Sequence, residues 1–446
     1  MAEQVPEQVA AEKRKRVVSG MRPTGRLHIG HYFGALQNWL KLQKEYDCFF
    51  FVADWHALTT HYEDTSSVAE NTLQVAIDWL SVGLDPEKST LFVQSDVLEH
   101  AELHVLLSMI TPLSWLERVP TYKDQIENLK DRDLGTYGFL GYPLLQSADI
   151  VIYDADFVPV GEDQVPHVEL TREVVHKFNF HFGVNVDVEA MKQDFATGTP
   201  ANRMALYLIR HFVNTPETPF PFGQVPESFP HEEVANLPAR IRQIAASIGS
   251  ENFKEQFAAF IAKQEAIKQI IDSHAILQKY VRFDKILFEP GHLLTETPRL
   301  PGLDGRRMAK SYGNSIWLSD PPDEIRAKVR NMITDPQRQR RTDPGRPEVC
   351  PVFAWHKLFS PPNTVAEVDR DCRAAAIGCV DCKKMMAENL VKWIEPIQAK
   401  RKEFEADPQE VWGILDAGGK KAQDVARGTM KRVRNAIFKW DEARKP

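Results

Sequence analysis

No stretch of this chain is apolar for the length that crossing a bilayer demands. Neither sign of charge dominates: 55 Lys and Arg against 62 Asp and Glu leave a net charge of −7. Bulk composition therefore does not point to nucleic acid, and an RNA partner would have to meet local basic patches. Cysteine is scarce, with five in 446 residues. Residues 1–16 end in Lys13-Arg-Lys-Arg16 with no hydrophobic segment behind them, which speaks against a secretory signal. They are expected to form a disordered tail rather than a basic arm on RNA, in a cytoplasmic protein. The remainder, in a chain 43% apolar and 26% charged, reads as globular, with room for two or three domains around a large core.

What is present is organised around Val17-Val-Ser-Gly-Met-Arg-Pro-Thr-Gly-Arg-Leu-His-Ile-Gly-His31. Val17 and Val18 read as a strand, Gly20, Pro23, Thr24 and Gly25 as a turn, and Phe33, Leu36, Trp39 and Leu40 recur at helical spacing. Strand, glycine turn and helix start form a layout that cradles phosphate, because unpaired N–H groups and the helix dipole face an anion. His28 and His31, three apart, share one side of the first turn, where imidazoles can donate to phosphoryl oxygens as charge builds. Alone, this pattern could be a βα turn with two incidental histidines. A second basic loop, Gly305-Arg-Arg-Met-Ala-Lys-Ser-Tyr-Gly313, adds a lysine, Lys310, suited to moving onto a leaving phosphate.

Residues 17–182 alternate strand candidates (Cys48–Ala53, Thr90–Gln94, Phe157–Val160) with helical stretches, which argues an α/β parallel sheet covered on both faces. Asp54-Trp-His56 and Gly161-Glu-Asp-Gln164 follow strands and could face the same crevice as the opening turn. Asp149, beside an apolar helix face, is costly unless paired with a backbone N–H or a ligand donor. Glu162 and Asp163 could cap a helix or accept from ribose hydroxyls or an amine. Residues 183–285 carry no chemical constellation and read as an inserted, largely helical subdomain, most simply a solvated hairpin. Residues 286–320 return to the first domain, and 321–446 are mostly helical. Basic groups gather there: Arg338, Arg340, Arg341 and Arg346; Lys383 and Lys384; Lys431, Arg432 and Arg434.

Cys48 lies in an apolar run and is expected as a buried strand thiol. Cys350, Cys372, Cys379 and Cys382 cluster with spacing C-x21-C-x6-C-x2-C. Clustering of this kind favours metal over disulfides. One tight pair with two outliers suits a [4Fe–4S] cube, with Zn²⁺ as the alternative.

His28-Ile-Gly-His31 and Arg307-Met-Ala-Lys-Ser311 resemble the HIGH and KMSKS signatures of class I aminoacyl-tRNA synthetases. Tyr142-Pro143, Ala148-Asp-Ile-Val-Ile-Tyr153, Val158-Pro-Val-Gly-Glu-Asp-Gln164 and His167-Val-Glu-Leu-Thr-Arg172 narrow the resemblance to the bacterial tryptophanyl-tRNA synthetase family. The motifs cover about 17–180 and 286 onward. The resemblance implies a Rossmann-like, doubly wound sheet with a helical anticodon-binding domain, a homodimer, and L-tryptophan, ATP with Mg²⁺, and tRNA(Trp) as partners. It implies that Arg22, Pro23, Thr24, Gly30 and His31, with His28, line ATP; that Gly161, Glu162 and Asp163 meet adenosine; and that Asp149 accepts the indole N–H while Tyr142 and Gln164 hold the amino group. Lys123 would reach ATP, and Arg307, Met308, Ala309, Lys310 and Ser311 would form the pyrophosphate loop. A subgroup of the family carries four cysteines at nearly this spacing on a [4Fe–4S] cluster. Arg307 and Ala309 depart from the family's lysine and serine, and Gln146 stands where some relatives are apolar. The competing readings are a tyrosyl-tRNA synthetase, a small-molecule nucleotidyltransferase with the same His-x-Gly-His turn, and a non-enzymatic RNA-binding or iron–sulfur sensor protein.

Overall fold

The computed structural model describes residues 14–120, 122, 135–222, 231–265, 272–295 and 300–440. Five parallel strands form the central sheet: β1 (Arg16–Met21), β2 (Asp47–Val52), β3 (Ser89–Val93), β4 (Phe157–Val160) and β7 (Gly291–Leu294), in the order β3-β2-β1-β4-β7. The chain moves outward from β1 to β2 and β3, then returns to place β4 on the other side of β1. The crevice at that reversal, beyond the carboxyl ends of β1 and β4, is where such sheets bind ligands.

Both faces of the sheet are buried, and side chains alternate between them as strand geometry requires. Val17, Phe50, Val52 and Leu91 face α1 and α3. Helix α1 is built from Ile29–His31, a π-helical stretch Tyr32–Leu36 and Gln37–Leu42, and α3 is Val68–Val82. Val18, Phe49, Phe51 and Phe92 face α5 (Tyr142–Val151) and α6 (Val165–Phe182). Between these lie α2 (Asp54–His61) and α4 (Glu99–Ser108). Arg16, assigned by sequence to the tail, instead opens β1. Its N–H donates to Asp156 at 2.7 Å, and its guanidinium donates to Asp47 at 2.9 Å and to the Tyr153 carbonyl at 2.7 Å.

The stretch after α6 is not a solvated hairpin. Helices α7 (Val188–Thr197), α8 (Pro200–Asn214), α9 (His231–Ile248), α10 (Ser250–Ala262) and α11 (Ser273–Tyr280) join antiparallel β5 (Val184–Val186) and β6 (Val281–Phe283). They enclose their own core around Leu206, Phe212, Phe253 and Phe257. The C-terminal region is helical: α12 (Pro322–Arg330), α13 (Pro351–Phe359), α14 (Pro362–Arg373), α15 (Cys379–Ala406) and α16 (Pro408–Phe438). Helix α16 runs beside the outer strand β3, closing an edge that would otherwise offer unpaired backbone groups. The approach is so close that a Cβ on Gly418 would lie 1.8 Å from the Leu91 carbonyl oxygen.

Candidate active site at the carboxyl edge of the sheet

The early turn and the late loop meet. The Lys310 ammonium donates to the Thr24 carbonyl at 2.9 Å, to its hydroxyl at 3.3 Å and to the Gly25 carbonyl at 3.0 Å. Backbone hydrogen bonds fasten the two segments: Ile29 N–H to Ile316 O at 3.0 Å, and Leu318 N–H to Leu27 O at 2.9 Å. The rings of His28 and His31 stack with centroids 3.7 Å apart, and His31 Nδ1 accepts from the His28 N–H at 3.1 Å. Gly30 lets the His28 ring pack against the backbone, because a Cβ there would lie 2.9 Å from that ring. Burial, then the Lys310 charge, pushes His28 down to about 4. Burial, then His28, holds His31 well below the usual imidazole range. Both rings are therefore neutral donors at pH 7, whereas Lys310, lowered by burial to about 8, remains mainly cationic.

Behind the turn lies a cavity of about 300 Å³ between the ends of β1 and β4, lined among others by Arg22, Tyr142, Gln146, Asp149, Gly161 and Gln164. Asp149 is buried at its floor. Its Oδ2 lies 2.7 Å from His56 Nε2; its Oδ1 lies 2.6 Å from His100 Nδ1 and accepts from Gln94 Nε2 at 2.8 Å. His100 reaches on to the Tyr153 hydroxyl at 2.5 Å. Burial alone would raise the Asp149 carboxyl. The His56 charge and the His100 hydrogen bond reverse that and hold it well below the usual carboxylate range. It is thus an ionised acceptor on the wall of a pocket of mixed polar and apolar lining. The Tyr142 ring lies edge-on to His56, centroids 4.4 Å apart. Gln146 Oε1 is buried with no hydrogen-bond partner among the described residues.

The structure thus brings together His28, His31, Thr24 and Lys310 at the turn, and Arg22, Tyr142, Asp149, Gly161 and Gln164 at the cavity. Glu162 and Asp163 are exposed at its rim in a 3-10 turn, where Asp163 accepts from Gln164 at 3.1 Å. Pro23 and Met308 are buried, Ala309 N–H donates to Asn314 at 2.9 Å, and Arg307 is exposed at the start of the loop. Lys123 lies outside the described residues. Sequence reasoning gave no role to Gln94 and His100, and it placed His56 only in the crevice. Their one local signal is a polar residue ending or following an apolar strand.

A family model described as tRNA synthetases class I (W and Y) matches residues 10–201 and 264–395. The chain belongs to that family. It is 46% identical to a tryptophan–tRNA ligase of Ralstonia nicotianae, over 95% of this chain and 98% of the relative. It is 40% identical to one of Thermotoga maritima, over 95% and 98%. Among solved structures, a Campylobacter jejuni tryptophanyl-tRNA synthetase complexed with ADP and tryptophan superposes with a TM-score of 0.65 at 26% identity, covering 95% of this chain and 99% of that one.

In this class I synthetase the four late cysteines converge from three helices. Cys350 precedes α13, Cys372 lies in the last turn of α14, and Cys379 and Cys382 open α15. Burial, then the other three thiols, pushes Cys382 up to about 12. Arg338 donates to the Cys372 sulfur at 3.5 Å, and a Cβ on Gly345 would stand 2.4 Å from it. Among the described residues, no three His, Cys, Asp or Glu side chains converge tightly enough to chelate one ion. Cys48 is a buried strand thiol, as expected. The basic clusters divide. Arg338 is buried against the Ile377 carbonyl, Arg346 pairs with Asp335, Arg432 with Asp154 and Arg434 with Glu102. Arg340, Arg341, Lys384 and Lys431 remain exposed.

Proposed function

We propose that this synthetase activates L-tryptophan with ATP and transfers it to the terminal ribose of tRNA(Trp). The observation that carries the reading is an ionised, buried Asp149 in a cavity also lined by Arg22, two residues before the Thr24 that Lys310 binds. The names of the relatives select tryptophan over tyrosine. Asp149 accepts the indole N–H, and Tyr142 and Gln164 orient the amino group. The substrate carboxylate then faces the turn and attacks the α-phosphate in line. No side chain becomes a nucleophile: positioning and charge stabilisation suffice. Neutral His28 and His31 donate to phosphoryl oxygens, and Lys310, joined by Arg307, takes the charge of the departing pyrophosphate. Glu162 and Asp163 meet the adenosine. The turn offers imidazoles, a hydroxyl and an ammonium, which fit phosphate and not a magnesium cage, so Mg²⁺ would be held by the nucleotide's own oxygens.

The cysteines are proposed to hold a [4Fe–4S] cluster of structural role. An all-thiol donor set fits it. Zinc needs four sulfurs each about 2.3 Å from one centre, whereas a cube spreads Cys₄ ligation over several irons. A homodimer is supported by the exposed apolar Leu98, Val105, Met109 and Leu113 in and around α4. The exposed C-terminal cations are the candidate tRNA contacts.

The decisive experiment is ATP–pyrophosphate exchange with tryptophan and tyrosine side by side. Exchange with tryptophan alone supports the reading; exchange with tyrosine alone, or with neither, overturns it. An absorption spectrum with metal analysis of anaerobically purified protein tests the cluster: a broad visible band with iron supports it, and a colourless zinc protein removes it.

A further inference from the structure

Asp78 is fully buried on α3. Its Oδ2 accepts the Leu27 N–H at 2.8 Å, immediately before His28. Its Oδ1 accepts from the guanidinium of Arg401 on α15, 323 residues away, and the two side chains are 0% and 3% exposed. Arg401 also donates to Gln74 and lies 3.1 Å from Glu405. The Leu27 carbonyl is held in turn by Leu318 N–H at 2.9 Å, just past the lysine loop. Leu27 is therefore held through both its N–H and its carbonyl at the point where the histidine turn begins.

We propose that Asp78 and Arg401 are positioning residues for adenylate formation: the carboxylate fixes the Leu27 backbone that launches the His28–His31 turn, and the guanidinium of the C-terminal helix keeps that carboxylate aimed. A buried ion pair adds little net stability over an apolar pair of similar volume, so its distinctive contribution here is direction. Burial pushes the Asp78 carboxyl up to about 6 against the opposing pull of Arg401. The guanidinium therefore also keeps the acceptor charged, and a charged acceptor binds the Leu27 N–H more strongly than a neutral one.

The kinetic part of the test rests on the ligase reading; its amide-exchange part does not. Two double variants of the full chain both remove the charge pair. Asp78→Asn with Arg401→Met keeps an oxygen for the Leu27 N–H, and Asp78→Ala with Arg401→Met does not. In tryptophan-dependent pyrophosphate exchange, the alanine double lowers kcat/KM for ATP by roughly 10- to 100-fold, while KM for tryptophan stays within about two-fold. The asparagine double recovers kcat/KM for ATP to within about three-fold of the parent. Hydrogen exchange of the Leu27 amide is faster in the alanine double than in the asparagine double. Equal ATP kinetics in the two doubles, or ATP and tryptophan constants falling together in step with the melting temperature, would reduce the pair to a packing element. A parent without exchange activity would sink the ligase reading. The Leu27 amide would still decide whether Asp78 holds the turn, and equal exchange in the two doubles would overturn that.

Discussion

Lys310 donates to the carbonyl oxygen of Thr24 at 2.9 Å across 286 residues of sequence. The lysine is held by neutral oxygens, so its charge is carried to the early turn. Lys310→Met is expected to lower kcat for pyrophosphate exchange by about 10²- to 10³-fold, with tryptophan affinity nearly unchanged. Lys310→Arg should recover only part of the loss, because a planar fork replaces a compact charge. Single-turnover adenylate formation and equilibrium tryptophan binding measure the two quantities separately.

The free enzyme should lose kcat/KM for ATP as pH rises through about 8, where Lys310 gives up its proton. The residual activity of Lys310→Arg should show no such alkaline limb. A pH–rate profile at saturating tryptophan checks both.

Acid should weaken the fold through buried neutral imidazoles. His28 and His167 are each lowered by burial from 6.5 to about 4. As pH falls below 6.5 the unfolded chain takes up these protons first, so stability declines between about pH 6.5 and pH 4. The depressed Asp149 carboxyl contributes its loss only below the unfolded value of 3.8, outside that window. Denaturant midpoints across the range should show the decline, and His167→Gln should flatten it.

Asp149→Ala should cut kcat/KM for tryptophan by roughly 10⁴-fold, since a site built around an N–H acceptor loses discrimination with it. ATP affinity should change far less. The variant should also be less stable by roughly 3–5 kcal/mol, because His56, His100 and Gln94 lose their shared partner in a buried site. Equal losses in the tryptophan and ATP constants would remove Asp149 from the selector role.

Gly418→Ala places a methyl against the Leu91 carbonyl oxygen of the outer strand, a backbone atom that cannot step aside. A destabilisation of about 3 kcal/mol is expected from overpacking, with exchange kinetics preserved at low temperature. Chemical denaturation measures it.

The strand–turn–helix units were legible along the chain, because glycine turns, apolar strands and helical spacing are short-range signals. β4 appears at Phe157–Val160, and the His28–His31 turn follows β1. The pairing of that turn with the Lys310 loop was legible only as two motifs; their contact depends on β7 and the Leu27–Leu318 bond closing 290 residues of chain. Which arginines face solvent was not legible at all. Arg338 and Arg340 are alike as sequence neighbours, yet one is buried on the Ile377 carbonyl and the other is exposed. By itself, then, the sequence determined the strand–turn–helix form of the His28–His31 segment and the chemistry it can offer. Tertiary structure alone decided that Asp149 is shared by His56, His100 and Gln94, and that Asp78 joins Leu27 to Arg401. Those partners come from different strands and helices, and burial, which gives their charges force, is a property of the assembled core.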